Sequence, residues 1–199
     1  MTPFEIIIAP FEVYLAPVGE AVPAIDAVPA GNWKKLGSNG KRNMSDAGVT
    51  VTHTQKITEH RTAGTTGPLK VVRTEEGLTA TFVLEDMTLE QYSNALNGVA
   101  IAEIAAAAGV AGQKNLTLHM GANVSTYAML IRGVSSYDEN LNGQYQVPKC
   151  YQKGNPAPVF DKSNAASLKL EFEAIEDPDA PTDEERFGKL IMQTAAATS

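Results

Sequence analysis

The chain has a single cysteine, Cys150, and a single tryptophan, Trp33, in 199 residues. One thiol cannot close an intrachain disulfide, so cross-links do not hold this fold and no oxidising compartment is implied. Aromatic residues make up only 7% of the chain, which leaves little material for an exposed aromatic platform. Clustered lysine and arginine are also lacking. The 23 acidic residues outnumber the 16 basic ones, for a net charge of −7. A surface that wraps nucleic acid needs basic clusters to neutralise phosphates, so tight nucleic-acid binding is argued against. Long hydrophobic runs are missing too. The start, MTPFEIIIAP, has no basic flank and only three consecutive isoleucines, too short for a signal peptide or a membrane span. The expectation is a chain made in the cytoplasm with no membrane association.

What is present is ordinary for a globular chain, 43% hydrophobic and 20% charged residues, enough for one domain with extended arms. The organising stretch runs from Val49 to Leu96. In its first run Val49, Val51 and Ile57 alternate with Thr50, Thr52, Thr54, Lys56 and Thr58. In its second, Leu78, Ala80, Phe82 and Leu84 alternate with Thr79, Thr81 and Glu85. Period-two alternation in β-branched residues predicts strands with one dry and one wet face. Gly77 interrupts the alternation that Leu69, Val71 and Val72 begin, which predicts a bulge there. The two runs, 49–61 and 68–85, make a long hairpin around the Gly- and Thr-rich connection 62–68. Such a hairpin carries a rim of backbone donors and acceptors that must be paired, covered or offered to another chain.

The remaining segments read mostly as strands. Phe11 to Ala16 is a strand ended by Pro17, and Pro17, Pro23 and Pro29 make 17–31 an extended arm. Trp33 to Leu36 is a short strand and 37–48 a loop around Asn39-Gly40. Thr88 and Gln91 have capping-box spacing ahead of a helix whose Leu89, Tyr92 and Leu96 share a face, with Gly98 as its stop. Residues 99–112 fit either a short helix or a strand with a loop. Strands follow at Leu116 to Met120, Ser125 to Val134, Tyr145 to Lys153 and Leu168 to Ile175, the first two around the turn Gly121 to Asn123. The domain therefore spans 1–176. Residues 177–199, acidic and broken by Pro178 and Pro181, form a C-terminal tail outside the core, with a short amphipathic piece from Glu184 to Gln193.

No set of side chains makes a convincing active site. His53 and His60 have opposite parity and face opposite ways on one regular strand, which argues for two ordinary strand histidines over a metal shared with Glu59. GVAGQK, from Gly109 to Lys114, lacks the Gly-Lys-Ser/Thr ending of a phosphate loop. Ser135 and Ser136 lack the second glycine of a nucleophile elbow. Asp177, Asp179 and Asp183 lack the glycine a calcium loop requires. Glu75 and Glu76 are adjacent and point to opposite faces, poor geometry for an acid and base pair. The chain is expected not to be an enzyme and to use no cofactor and no metal.

Taken in order, VYLAP, WKKLG, the Thr-rich hairpin with EHRTAGTTGPLKVV, LTATFVLEDMTLEQYSNAL, QVPKCY and LKLEFEAIED resemble the major tail tube protein of long-tailed, siphovirus-like bacteriophages. The resemblance covers the layout of residues 11–176. It implies an all-β sandwich or barrel with one short flanking helix that assembles into stacked six-fold rings. Long hairpins there join into a lumenal β-barrel that conducts DNA during ejection. Partners implied are further copies of the chain and other tail proteins, namely the tape measure, tail terminator and distal tail proteins, with the virion as location. DNA passes without specific binding. By position, Thr50, Thr52, Thr54, Lys56, Thr58, Thr79, Thr81 and Glu85 would line the lumen, with Lys56 opposite Glu85. Asn39, Lys41, Arg42, Thr62, Gly64, Thr65 and Pro68 would contact neighbouring subunits or rings. The inner tube of a contractile tail or type VI secretion system is the alternative, and a monomeric β-sandwich that binds a ligand, for example a carbohydrate, is a second.

Overall fold

The computed structural model describes residues 7–37, 44–85, 87–135, 138, 140–158, 160 and 166–197, with 7–10 as backbone. The strands are β1 (Ile7–Pro17), β2 (Lys34–Lys35), β3 (Met44–His60), β4 (Lys70–Leu84), β5 (Ile101–Ile104), β6 (Gln113–Leu116), β7 (Thr126–Ser135), β8 (Asn142–Gln152), β9 (Leu168–Ala174) and β10 (Lys189–Met192), with one helix, α1 (Leu89–Ala95). Eight strands form one sheet in the order β2-β1-β7-β8-β9-β4-β3, with β10 added on β8. Every pairing in it is antiparallel. β5 and β6 make a separate hairpin.

Strand parity explains where the core sits. Leu78, Ala80, Phe82 and Leu84 of β4 meet Leu168, Leu170, Phe172 and Ala174 of β9 and Val13, Leu15, Met129 and Ile131 of β1 and β7 in one cluster. The Phe82 and Phe172 rings stack at 6.1 Å, and Tyr127 meets Phe172 edge-on at 6.5 Å. Residues of the other parity, Tyr14, Ala16, Ala128 and Leu130, form a second cluster with Trp33 on the opposite face. β1 and β7 are thus buried on both sides, which is why VYLA and AMLI read as apolar runs instead of alternating. The sheet curls until its margins approach: a Cβ on Gly48 of β3 would stand 3.7 Å from Phe11 Cδ2 of β1.

The helix is capped as its sequence predicts, Thr88 Oγ1 accepting from Gln91 N at 3.3 Å. Two successive left-handed residues, Asn97 and Gly98, stop it. Asn97 then works as a clamp. Its Nδ2 donates to Met120 O and Asn123 O at 2.9 and 2.6 Å, and Ser125 Oγ donates back to Asn97 O at 2.9 Å.

Several expectations are corrected. Of the two readings open for 99–112, the strand with a loop is the one present, as β5, whereas the strand expected at Leu116 to Met120 lies earlier, at Gln113–Leu116, where Glu103 and Lys114 sit opposite in its pairing with β5 and bridge at 3.0 Å. The loop expected over 37–48 ends sooner, since β3 begins at Met44. Residues 177–199 are not a tail outside the core. After a 3-10 turn at Asp183–Glu185, Phe187 packs against the main cluster and β10 pairs with β8, Leu190 opposite Tyr145. Gly188 permits that return: its φ is +112°, and a Cβ there would sit 2.1 Å from Gln146 O.

Candidate assembly interface

Between Val49 and Lys56 the β3–β4 ladder is regular. Thr50 faces Thr81, Thr52 faces Thr79, Thr54 faces Gly77 and Lys56 faces Glu75, all on one side of the hairpin. A Cβ on Gly77 would stand 2.8 Å from Thr54 Oγ1, so glycine here makes room for the threonine. The bulge is not at Gly77. It falls at Thr74, where Lys56 pairs with Glu75 but Ile57 pairs with Arg73. Beyond it Thr58 stands opposite Val72, which ends the threonine stripe. Glu85 lies past the end of β4, outside the ladder, so Lys56 binds Glu75 instead, at 2.8 Å. Both are well exposed, and such a pair contributes about 0.2–1 kcal/mol.

The opposite side carries Val49, Val51, His53, Gln55, Ile57 and Glu59 against Phe82, Ala80, Leu78, Glu76, Arg73 and Val71. Val49 and Val51 pack against the core, but Ile57, expected there, is 47% exposed. The core ends at Leu78, and from there the hairpin projects without a layer beneath it. Leu69, Val71 and Val72 are exposed with Ile57 on this projection. Among the described residues both its edges are open. β3 is the last strand of the sheet, and β4 meets β9 only along Thr79–Leu84, so no described strand lies beside its other edge from Lys70 to Leu78. Thr62, Gly64, Thr65 and Pro68 form the exposed tip, tightened by Thr65 N donating to Thr62 O at 3.4 Å. Asn39, Lys41 and Arg42 lie outside the described residues.

A cleft of about 680 Å³ opens under the base of the hairpin, where β10 takes over from β9 beside β8. Leu78, Tyr145, Phe187 and Leu190 give it an apolar floor, and Arg73, Glu76, Asp183 and Glu184 give it charged walls. His53 lines it, whereas His60 is on the other side of the hairpin at its tip. Among the described residues no group of three or more His, Cys, Asp and Glu is placed to hold a metal ion.

Arg132 was not singled out from the sequence. Buried on β7, it donates to Ala27 O at 2.6 Å, to Ala24 O at 3.1 Å and to Gln144 Oε1 at 2.7 Å. These bonds, with Asn142 Nδ2 to Ile25 O and Trp33 Nε1 to Ala21 O, fasten the proline-rich arm across the subunit's own sheet. Burial lowers the guanidinium's pKa, and the acidic groups Tyr14, Glu12 and Asp26 oppose that. A cation inside the run TYAMLIRGV was the available signal, since a strand buried on both faces keeps an arginine only where acceptors await it. Trp33, buried in the second cluster, offers no exposed platform to a sugar.

No family model and no curated protein matches the chain. Among solved structures its fold is similar to that of a chain in the cryo-EM structure of the anti-feeding prophage (AFP) baseplate, 6-fold symmetrised. The TM-score is 0.52 and the identity 8%, over 87% of this chain and 94% of that one. At that identity the likeness is one of architecture, and the chain has the all-β fold of a protein built into that baseplate.

Proposed function

We propose that this chain is a structural protein of a phage-tail-like particle, polymerising through its long hairpin into six-fold rings that stack into a tube for DNA. The observation that carries this reading is the projection of β3 and β4 beyond the core with both edges open and one side lined by threonine. A lone hairpin of that length is marginal in water, and adding neighbouring strands to its edges would satisfy its backbone and close a barrel. The threonine side, with Lys56 neutralised by Glu75, would then face the channel, and the net charge of −7 would keep phosphates from adhering. The function is assembly without catalysis, in the virion, beside the tape measure, terminator and distal tail proteins. The fold likeness to a baseplate chain favours a second reading, a ring or inner-tube component at the baseplate of a contractile tail.

Negative-stain imaging of concentrated protein tests both. Stacked tubes of constant diameter support the first and isolated rings the second. A monomer at every concentration would remove them together and leave the ligand-binding sandwich.

A further inference from the structure

A second cleft, of about 520 Å³, lies between the proline-rich arm and the C-terminal segment. Its walls are Val22, Pro23, Ile25, Pro148 and Ile191. Asp177, Asp179 and Glu185 are acidic groups lining it. Glu185 is engaged by Lys189 at 3.0 Å, but neither Asp177 nor Asp179 has an ion-pair partner among the described residues. Gln144, fully buried, also lines the cleft. Its Oε1 is held by Arg132, and its Nε2 has no hydrogen-bond partner among the described residues.

These features specify an occupant. Apolar walls beside carboxylates suit a long basic side chain, whose alkyl stem is covered while its charged head reaches the acids. A buried amide N–H without an acceptor is destabilising, and a carbonyl carried in with the basic group removes that cost. The ligand class is therefore a short basic peptide with an accessible carbonyl. Within this chain two places have adjacent basic residues, Lys34-Lys35 and Lys41-Arg42. The first is engaged at home: Lys34 Nζ donates to Gly31 O at 2.9 Å and Lys35 binds Glu12.

We infer that the cleft between the arm and β10 is a socket for a second copy of the chain, which inserts the Lys41-Arg42 stretch that connects its β2 to its β3. Small polar neighbours, Asn39, Gly40 and Asn43, supply carbonyl groups for Gln144 Nε2. β1 and β7 separate β2, the strand that leads into this stretch, from β8, which lines the socket. Unlike surfaces that fit each other propagate an array instead of closing a pair. The inference rests on the self-assembly reading for its partner and adds the surface and chemistry of the contact.

The test titrates the full chain with a synthetic peptide of residues 36–44. Saturable binding is expected, weakened at least tenfold by the paired substitution Asp177→Asn and Asp179→Asn and abolished when the peptide carries Lys41→Glu and Arg42→Glu. Binding of equal strength to the substituted protein, or to a scrambled peptide of the same charge, overturns the socket. A second arm mixes Asp179→Cys protein with Arg42→Cys protein, both carrying Cys150→Ala, and expects disulfide-linked dimers that a Glu103→Cys control does not give. Tubes without peptide binding or cross-linking remove the socket and leave the assembly reading. Peptide binding without rings or tubes at any concentration does the reverse.

Discussion

Thr74 is the extra residue of the β3–β4 ladder, and its hydroxyl donates to the backbone carbonyl of Lys56 at 3.2 Å. Below that bond Lys56 faces Glu75, and above it Ile57 faces Arg73. The bulge therefore places Val72 on the threonine side and Val71 on the other. Because Thr74 stands outside the ladder, residues 70–73 keep these sides, and the hairpin gains a local twist at this point.

Deleting Thr74 should give an unbroken ladder with residues 70–73 on their present sides, and should remove the added twist of the bulge and its bond to the Lys56 carbonyl. The core stops at Leu78, so the melting temperature is expected to stay within a few degrees of the parent while ring or tube formation is lost. A thermal melt with electron microscopy of the same sample checks both halves. Normal tubes from the deletion would show that the bulge does not set the interface.

Arg132→Met removes the hydrogen bonds that this side chain makes to the arm and leaves Ala24 O and Ala27 O without this donor. The expected loss is about 2–4 kcal/mol, on the scale of a buried charge-assisted network. Urea denaturation measures it, and limited proteolysis should show faster cutting within residues 21–31. An unchanged midpoint would mean that the Asn142 and Trp33 hydrogen bonds, with packing around Trp33 and Pro29, hold the arm without Arg132.

Glu12 gives a pH dependence with a definite sign. Burial by itself would raise its pKa, but hydrogen bonds from Lys35 and Tyr14 outweigh burial and hold the carboxyl below its ordinary 4.5. A group whose folded value is depressed contributes stability that is complete above the unfolded value and is lost as pH falls through the folded one. Stability should therefore decline on acidification below 4.5, and Glu12→Gln should make that decline shallower. Parallel pH titrations of the two proteins in urea read the difference, and superimposable curves would assign the acid sensitivity elsewhere.

Cys150 lies fully inside the main cluster, and burial pushes its thiol up to about 12. The thiolate is the reactive form, so native protein at pH 8 should resist a thiol reagent that labels unfolded protein completely. Labelling rate against urea concentration should follow global unfolding. Fast labelling without denaturant would reveal local opening between β7, β8 and β9.

Where a strand has one wet face and one face in the core, the sequence carried its structure openly. β9 alternates as LKLEFEA, the inner half of β4 alternates as LTATFVL, and Thr88 announces its helix. The failures have identifiable causes. Ile57 keeps the apolar parity of Val49 and Val51, but parity states which side a residue takes, not how far the core extends beneath it. Gly77 was the visible irregularity, whereas the bulge fell on Thr74, whose hydroxyl could reach the Lys56 carbonyl. The acidic composition of 177–199 suggested a solvated segment and concealed the four residues of β10, because KLIM is too short to show a period. The clamp from Arg132 to the arm spans more than a hundred residues, and no local pattern encodes a contact of that separation.

The pairing of β1 with β7 also has a consequence in time. Pro17 meets Tyr127, a separation of 127 − 17 = 110 residues, while His60 meets Lys70 across a separation of ten. At a synthesis rate of roughly 5–20 residues per second, β1 waits about 5 to 20 s for its partner strand to be made, whereas the β3–β4 hairpin closes within microseconds of leaving the ribosome. During that wait the apolar run of β1 has only the two residues of β2 as a mate. Glu12, in the middle of the strand, is a bare charge until Lys35 of β2 is made and reaches it, and a charge there discourages the nascent strand from pairing with another growing chain.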